Sequence, residues 1–318
     1  MYSLKDYGRM LSDRVRMRAY VRALEQTVRP GSVVADLGAG TGIFSLHACR
    51  LGARHVYAVD MSPAMTVAAA AAKANGFSER ITCIQADCLR TYLPEKVDIV
   101  IGDLRGTLPF FPGNLEAFAH AQRHWLKPGG TLIPKRDVLK VALVRDRLLY
   151  EKITGPWRHQ PAKLDLSIAL KWAVNQFAHV HLKGSALASA PKTWGSIDYG
   201  AGIQRNAQPL SWKSRRRTTA YGLAVWFDAE LTATIGFSNR PGSSPAIYGQ
   251  AFLPFENPLT ISAGESLQAD IQLTQLDDYL WSWQVEHRGS DGAVRRTLRQ
   301  SMFLGMMLTT EALKNLRQ

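Results

Sequence analysis

In the segment Asp36-Leu-Gly-Ala-Gly-Thr-Gly42, glycine stands at positions 38, 40 and 42 and leaves room for a ligand. A short β-branched run precedes this segment and the helical stretch 43–51 follows it, so the pattern predicts a strand, a tight turn and a helix. Glycine has no Cβ, which lets the backbone approach a ligand closely and adopt torsions that other residues resist. The turn is therefore predicted to bind a nucleoside, through Asp36, Gly38, Ala39, Gly40, Thr41 and Gly42.

Acidic residues follow the next two predicted strands. Asp60 closes the run Tyr57-Ala-Val-Asp60, about 20 residues beyond the glycines, where a carboxylate accepts hydrogen bonds from both ribose hydroxyls. Asp87 follows the strand 81–85 and is predicted, together with Cys88, to contact the adenine edge. Met61, next to Asp60, is assigned to the same site.

A glycine-rich turn with a downstream acid is also the fingerprint of dinucleotide-binding proteins, but two features separate the alternatives. The glycines at 38, 40 and 42 lack the GxGxxG spacing that places a pyrophosphate on a helix N-terminus. Asp36 beside the turn would repel a phosphate and suits an ammonium group. The sequence therefore predicts S-adenosylmethionine as the cofactor, with S-adenosylhomocysteine as the product.

The pattern of secondary structure changes about midway along the 318 residues, which exceed the usual size of one domain. Up to about Pro134, strands alternate with helices, as in an Ala-rich helix over 64–75 and a buried strand over 97–101. Beyond that point the segments 138–144, 221–226, 231–237 and 279–285 are typical of antiparallel strands. We therefore expect an α/β domain followed by a mostly β domain.

Composition narrows the classes of function. The net charge of +13 includes basic clusters at 14–18 and 215–217, but no recognised RNA-binding module accompanies them, so solvated faces are expected rather than a nucleic-acid site. The three cysteines form no CxxC pair, and His120 and His124 have no third ligand nearby in sequence, so no metal site is predicted. No apolar run approaches the ~20 residues of a membrane span, and a cytoplasmic protein without a membrane partner is expected.

Over nearly its whole length the chain resembles the protein arginine methyltransferases, as a divergent, bacterial-type member. The resemblance rests on the order in which the family's sequence motifs occur along this chain. The matching segments are Tyr7-Gly8, Met10-Leu11 and Asp13-Arg-Val-Arg16 in the N-terminal helical lid, the cofactor motifs 36–42 and 52–60, the strand 96–103 that leads into the active-site loop, and the domain junction 125–134. The resemblance implies that Arg16 binds the carboxylate of the cofactor.

The resemblance also implies a domain plan. A helical lid over 1–30 would precede a Rossmann-like class I methyltransferase domain over 31–134, and a C-terminal β-barrel-like domain would cover 135–318. An inserted helical arm at about 147–178 would dock on the cofactor domain of a second copy. A homodimer is therefore expected.

The sequence departs from the family at the residues that clamp the acceptor. The family holds a guanidinium between two glutamates of one loop, and here the first matches Asp103 whereas the second falls on Pro112. The histidine of the family's Thr-His-Trp segment is replaced by Ile247. Two of the three polar partners of an arginine acceptor are thus missing.

Arg105 lies two residues after Asp103, on the same face if the loop is extended. Two unit charges about 4 Å apart interact by roughly 4 kcal/mol at an effective dielectric of about 20, so a fixed cation here disfavours a guanidinium acceptor. Two interpretations stay open. Arg105 forms a structural ion pair with Asp103, or it captures an acceptor that carries a carboxylate or a phosphate.

These observations lead to a methyltransferase that acts by in-line displacement, with a small molecule as the first choice of acceptor. Asp103 is the predicted base or orienting group, and Tyr7 and Met10 are predicted to wall the acceptor pocket. Phe110, Phe111 and Tyr248 are further candidates for contacts with the acceptor. One alternative is a protein arginine methyltransferase whose second carboxylate comes from elsewhere, such as Glu116. Another is a catalytically silent scaffold that binds the cofactor.

Overall fold

The computed structural model describes residues 2–111, 113–159, 163–243, 247–276 and 279–306. Compact packing divides the described chain into two units. Unit 1 comprises the chain up to Val138 together with Gly195–Gln204 and Phe227–Tyr248. Unit 2 comprises Leu139–Trp194, Arg205–Trp226 and the chain from Gly249 onwards.

Unit 1 opens with two helices, α1 (Leu4–Ser12) and α2 (Arg14–Thr27). Ser3 and Asp6 form a capping box at the start of α1, which satisfies backbone N–H groups of the first turn. Asp13 caps α2 through a hydrogen bond from the backbone N–H of Arg16 to its Oδ1 (3.0 Å). These caps fix the direction in which each helix leaves the preceding residue.

A five-stranded parallel sheet forms the centre of unit 1, in the order β3-β2-β1-β4-β5. Its strands are β1 (Val33–Leu37), β2 (His55–Asp60), β3 (Ile81–Gln85), β4 (Val97–Gly102) and β5 (Leu126–Ile133), and its helices are α3 (Ile43–Arg50), α4 (Met65–Ala74) and α5 (Asn114–His124). The strand order reverses between β1 and β4, and open α/β sheets bind ligands at the carboxyl ends of strands at such a point. The glycine turn and Asp103 both lie there.

The core of unit 1 joins this sheet to a later part of the chain. Tyr20 and Leu24 of α2 and Ile101 of β4 belong to the same buried cluster as Phe227 and Tyr248. The segment 231–237, which the sequence predicts as a strand, is instead a turn followed by a short strand that pairs with 228–230. This hairpin places aromatic side chains in the core of unit 1.

Unit 2 is mostly antiparallel β-structure. The remaining strands of the chain are β6 (Arg136–Val144), β7 (Ala178–Val180), β8 (Lys192–Asp198), β9 (Gly202–Arg205), β10 (Leu210–Lys213), β11 (Thr218–Glu230), β12 (Gly236–Ser238), β13 (Gln250–Ile261), β14 (Ser266–Gln275), β15 (Tyr279–Arg288) and β16 (Val294–Ser301). The strands β10, β14, β15 and β16 form an antiparallel sheet, in which Trp281 and Trp283 are buried on one face. Two helices, α6 (Arg147–Arg158) and α7 (Leu170–Ala173), lie in the predicted arm.

The structure confirms the predicted fold class, a Rossmann-like parallel-sheet domain with a C-terminal antiparallel one. Closure into a barrel and the docking of the arm stay predictions. Within the described ranges, no helix combines the length and the apolar character needed to cross a bilayer. The same ranges contain no group of three or more His, Cys, Asp or Glu residues that could hold a metal ion.

Candidate active site

The glycine turn between β1 and α3 is built from left-handed backbone. Gly38, Gly40 and Gly42 have φ angles of +70°, +53° and +78°, which side chains with a Cβ rarely adopt. A Cβ added at Gly40 would lie 2.6 Å from Cε1 of Tyr7, so the ring of Tyr7 lies directly against the turn. The hydroxyl of Tyr7 donates to Oγ of Ser62 (3.1 Å). Tyr7, predicted to wall the acceptor pocket, thus contacts the glycine turn.

Asp60 connects the turn to the end of β2. Its Oδ2 accepts the backbone N–H of Gly40 (2.8 Å) and its Oδ1 accepts that of Ser62 (2.7 Å). The side chain is half-buried, as a carboxylate that meets both protein and ligand should be. Ala39 is buried and Thr41 half-buried in the same turn, and Met61 is 67% exposed beside Asp60.

Asp36 lies in β1, directly before the glycine turn. Its side chain is fully buried in β1, and its Oδ2 accepts from the backbone N–H (2.9 Å) and the hydroxyl (2.7 Å) of Ser45. Burial raises the pKa of Asp36 to about 6, against the opposing effect of the Ser45 hydrogen bonds. Its Oδ1 has no hydrogen-bond partner in the described chain. Asp36 thus joins β1 to α3 through Oδ2, and its contact with a ligand ammonium stays a prediction.

Asp87 and Cys88 lie after β3, beside the end of β2. Asp87 accepts the backbone N–H of Leu89 (2.9 Å), and both Asp87 and Cys88 are half-buried. Burial raises the pKa of the Cys88 thiol to about 11, so it is neutral and suited to packing against an apolar ring. The ends of β1, β2 and β3 therefore offer a close backbone approach, a carboxylate and a half-buried edge, which together fit a nucleoside that carries an amino-acid chain.

Asp103, directly after β4, lies in a buried cluster of charges. Its Oδ2 accepts from Nε of Arg16 (2.5 Å) and from the hydroxyl of Tyr248, and its Oδ1 accepts from Nη1 of Arg105 (3.0 Å). Its side chain is 3% exposed. Burial alone would raise the pKa of Asp103, but Arg16 and Arg105 outweigh burial and hold the pKa below its usual range. Asp103 is therefore an ionised carboxylate in a nearly dry environment.

Arg16 of α2, the predicted partner of the cofactor carboxylate, is bonded to Asp103. Its guanidinium carbon lies 5.6 Å from the ring centre of Tyr20 and 5.3 Å from that of Phe44. Its Nη1 donates to the backbone carbonyl of Met10 (3.4 Å), and Met10 is half-buried. The residue predicted to hold the cofactor carboxylate and the residue predicted to act on the acceptor are thus directly paired.

Arg105 forms the ion pair that the sequence left as one of two alternatives, and it has a second carboxylate partner. Its Nε and Nη2 donate to Oδ2 (2.7 Å) and Oδ1 (2.8 Å) of Asp137, and its Nη1 donates to the hydroxyl of Tyr20 (2.6 Å). The hydroxyl of Tyr199 also donates to Asp137 (2.7 Å). With its side chain only 1% exposed, Arg105 is enclosed in the protein and not open to an anionic acceptor.

Sequence reasoning missed Asp137, Tyr20 and Tyr199. One local signal could have pointed to Asp137, namely an aspartate at the start of an apolar run, now seen as β6. Asp137 is fully buried there, and a buried carboxylate requires a partner. Of the other candidates, Phe110 is buried, Phe111 is 47% exposed and Glu116 lies in the first turn of α5, whereas Pro112 is outside the described residues.

Ile247 and Tyr248 reach the site from the segment before β13. Asp13, which caps α2 with Oδ1, accepts the backbone N–H of Ile247 with Oδ2 (2.9 Å). This contact holds the turn that carries Tyr248, whose hydroxyl bonds to Asp103 and lies 3.1 Å from Nε of Arg16. Ile247, which replaces the family's histidine, therefore contributes its backbone N–H to the site, and Tyr248 contributes its side chain.

Comparisons with known proteins match both the sequence and the fold. The profile of the family described as ribosomal protein L11 methyltransferase (PrmA) matches residues 18–133, a range that includes the glycine turn and Asp103. A probable protein arginine N-methyltransferase 1.2 of Arabidopsis thaliana is 28% identical over 84% of this chain and 75% of its own length. A probable histone-arginine methyltransferase CARM1 of Oryza sativa is 30% identical over 83% of this chain and 53% of its own length.

Two solved structures share the fold. The Trypanosoma brucei PRMT1 enzyme-prozyme heterotetrameric complex with AdoHcy contains a chain that superposes with a TM-score of 0.83 at 24% identity, over 92% of this chain and 97% of that one. Arabidopsis thaliana protein arginine methyltransferase 10 superposes with a TM-score of 0.79 at 21% identity, over 94% of this chain and 97% of that one.

Proposed function

We propose that this chain, an adenosylmethionine-dependent methyltransferase whose homologues and structural neighbours are protein arginine methyltransferases, methylates arginine side chains of proteins. The small-molecule acceptor that the sequence favoured becomes the second candidate, because the curated relatives are named for arginine N-methylation. The observation that carries the proposal is the buried, ionised carboxylate of Asp103 at the carboxyl end of β4.

The main objection to an arginine acceptor was the fixed charge of Arg105. Asp137 binds that guanidinium through two hydrogen bonds, and Tyr199 and Phe227 place aromatic rings within 5.8 Å and 5.4 Å of its guanidinium carbon. The ion pair of Arg105 and Asp137 has no net charge, so it repels a guest cation much less than a lone arginine would. This compensation supports a guanidinium acceptor beside Asp103.

The residues around the glycine turn fit S-adenosylmethionine, which supplies an already activated methyl group when bound. Asp60 would accept hydrogen bonds from the ribose, Gly38 and Gly40 would allow close approach of the backbone, and Asp87 with Cys88 would line the adenine. Arg16 would hold the carboxylate of the amino-acid chain.

Asp103 would act on the acceptor once Arg16 no longer occupies its Oδ2. That oxygen would then accept an N–H of the acceptor guanidinium, orient the nitrogen towards the methyl donor, favour localisation of a lone pair on it and take up the proton that the nitrogen loses on methylation. The hydroxyl of Tyr248 remains on the same oxygen and limits its movement. Binding of the cofactor before the acceptor follows from this arrangement, because Arg16 covers Oδ2 until another carboxylate binds it.

A non-guanidinium acceptor is the second candidate, favoured by the incomplete clamp. Asp103 is the one carboxylate in the described loop 103–111, and Ile247 has no side chain that can bond to a guanidinium. An acceptor that offers a single hydrogen-bond donor would need no second carboxylate.

Transfer of a labelled methyl group into a cell extract distinguishes these candidates. Methylarginine in a tryptic digest supports protein arginine methylation, and label confined to the small-molecule fraction supports the second candidate. Cofactor binding without any transfer would support the silent scaffold instead. Asp98→Asn is a suitable control for Asp103→Asn, because Asp98 lies in β4, the strand directly before Asp103, but its side chain is 37% exposed.

We also propose a homodimer formed through α6 and α7. Apolar side chains of this segment line a groove of about 630 Å³, among them Ile153, Trp157, Trp172 and Phe177. Leu148 and Ile168 are 78% and 58% exposed, which is typical of surfaces that are covered in an assembly. A cytoplasmic location agrees with Cys49, Cys83 and Cys88, which are free thiols.

A further inference from the structure

We infer that Arg105 is a positioning residue, which holds Oδ1 of Asp103 in place so that the acceptor meets Oδ2 alone. The inference rests on the proposed function in one respect, namely that Asp103 contacts the acceptor. This role of Arg105 differs from the double-carboxylate clamp, because here the guanidinium of Arg105 occupies Oδ1 of Asp103.

The geometry leaves Arg105 little freedom. Its three nitrogens donate to both oxygens of Asp137, to the hydroxyl of Tyr20 and to Oδ1 of Asp103. Tyr20 in turn donates to the backbone carbonyl of Gly102 (3.1 Å), the residue directly before Asp103. The guanidinium is therefore fixed to α2, to β6 and to the end of β4, and Asp103 is oriented by an element that does not depend on the acceptor.

The aromatic rings around Arg105 complete this fixation. Its guanidinium carbon lies 5.4 to 5.8 Å from the ring centres of Phe227, Phe237 and Tyr199. Cation–π contacts of this kind stabilise a guanidinium that has little access to water. The planar guanidinium can make these contacts and the two-point bond to Asp137 at once, which an ammonium cannot.

The groups that bond to the carboxylate of Asp103 come from three segments of the chain. Arg16 lies on α2, Arg105 lies two residues further along the loop, and Tyr248 donates its hydroxyl from the turn before β13. Tyr2 and Tyr20 also lie within electrostatic range of Asp103. If Arg16 turns to the cofactor carboxylate, Arg105 becomes the guanidinium that keeps Asp103 ionised in the complex ready for the acceptor.

The consequence is a measurable dependence on pH. Asp137 offsets the charge of Arg105 but not the hydrogen bond that Nη1 of Arg105 donates to Oδ1 of Asp103. A hydrogen bond to a carboxylate favours its charged form, so loss of this donor from a buried carboxylate raises its pKa by about one unit. Asp103 accepts from the acceptor only when it is ionised. The acidic limb of kcat/KM for the acceptor should therefore move to higher pH when Arg105 is replaced.

The test compares the wild-type protein with Arg105→Met/Asp137→Asn, which removes both charges of the pair, and with Arg136→Met. Arg136 is the matched control, because it precedes Asp137 on β6 and pairs with Glu230, but its side chain is 41% exposed. We expect the acidic limb to rise by about one pH unit in the double variant, with adenosylhomocysteine affinity within about threefold of wild type. An acidic limb at the wild-type position would overturn the inference.

A second variant keeps the inference testable if the double variant does not fold. Arg105→Lys keeps the positive charge but cannot bind Asp137 and Asp103 with the same fork of donors. We expect kcat to fall by about tenfold or more, with cofactor affinity close to that of Arg136→Lys. Wild-type kcat in Arg105→Lys would refute the role of Arg105.

The same measurements separate this inference from the proposed function. If the wild-type protein transfers methyl groups to an acceptor other than arginine, the proposed function fails, but the pH limb of that reaction still tests Arg105. If methylarginine forms and the limb does not move, the proposed function stands and the role of Arg105 falls.

Discussion

Asp103→Asn is expected to abolish methyl transfer and, at the same time, to strengthen the binding of S-adenosylhomocysteine. In the unliganded protein Arg16 is bound to Asp103 at 2.5 Å, and the two side chains are 8% and 3% exposed. A cofactor carboxylate must replace this contact before it can bind Arg16. A neutral amide at position 103 competes less strongly for the guanidinium, so more of the affinity of Arg16 is available to the ligand.

The size of the effect follows from the contact that is lost. A hydrogen bond to a charged group contributes about 1.5–3 kcal/mol, and every 1.4 kcal/mol changes a dissociation constant about tenfold. We therefore expect about tenfold tighter binding of S-adenosylhomocysteine, which lacks the sulfonium charge that Asp103 would attract. The unliganded variant should lose about 3 kcal/mol of unfolding free energy, at the low end for a broken buried ion pair, because Arg105 keeps Asp137.

Isothermal titration calorimetry on the wild type, Asp103→Asn and the control Asp98→Asn measures the affinities. Thermal denaturation with and without ligand measures the stability, and the ligand should raise the melting temperature more in Asp103→Asn than in the wild type. If folded Asp103→Asn binds S-adenosylhomocysteine as weakly as the wild type, or more weakly, then Arg16 is not the shared partner of Asp103 and the ligand.

Three further predictions concern Tyr248, Asp36 and Trp172. Tyr248→Phe removes the hydroxyl on Oδ2 of Asp103 and should lower kcat/KM about tenfold, whereas an unchanged kcat/KM would show that Arg105 alone positions the carboxylate. Because folding raises the pKa of Asp36 from 3.8 to about 6, mainly by burial, its contribution favours the folded state at low pH. It is lost as the pH rises from about 4 to about 6, by up to about 3 kcal/mol. Denaturant titrations should show this fall in the wild type and a smaller one in Asp36→Asn, and equal slopes would contradict the assignment. Trp172→Glu should shift the sedimentation profile from dimer to monomer without loss of secondary structure, and a variant that stays dimeric would place the interface elsewhere.

The parts of the site that depend on local chemistry could be predicted from the sequence. A β-branched run, three alternating glycines and a helical stretch produce the strand, turn and helix of 33–50 with little help from the rest of the chain. The carboxylate of Asp60 could be predicted in the same way, because it closes the run that forms β2. The fold class could be predicted for the same reason, because the change from alternating elements to successive strands is visible along the chain.

The partners of Asp103 could not be predicted, because they come from distant parts of the sequence. Arg105 meets Asp137 across 32 residues, Asp137 meets Tyr199 across 62, and Tyr248 meets Asp103 across 145. Spacing along a strand placed Arg105 near Asp103, but it could not show that a second carboxylate would compensate the charge of Arg105. Burial of Asp36 was missed for a different reason, because the pattern that predicts β1 and α3 does not show that Ser45 of α3 faces Asp36.

The carboxylate of Asp13 gives α2 and the turn that carries Tyr248 a common mechanical link. One of its oxygens holds the first turn of α2 and the other holds the backbone N–H of Ile247, so the helix that carries Arg16 and the turn that carries Tyr248 share one anchor. A rotation of α2 away from the glycine turn would pull on both attachments at once. Any such movement of α2 would thus also loosen Tyr248 from Asp103, and its reversal would restore both contacts at once.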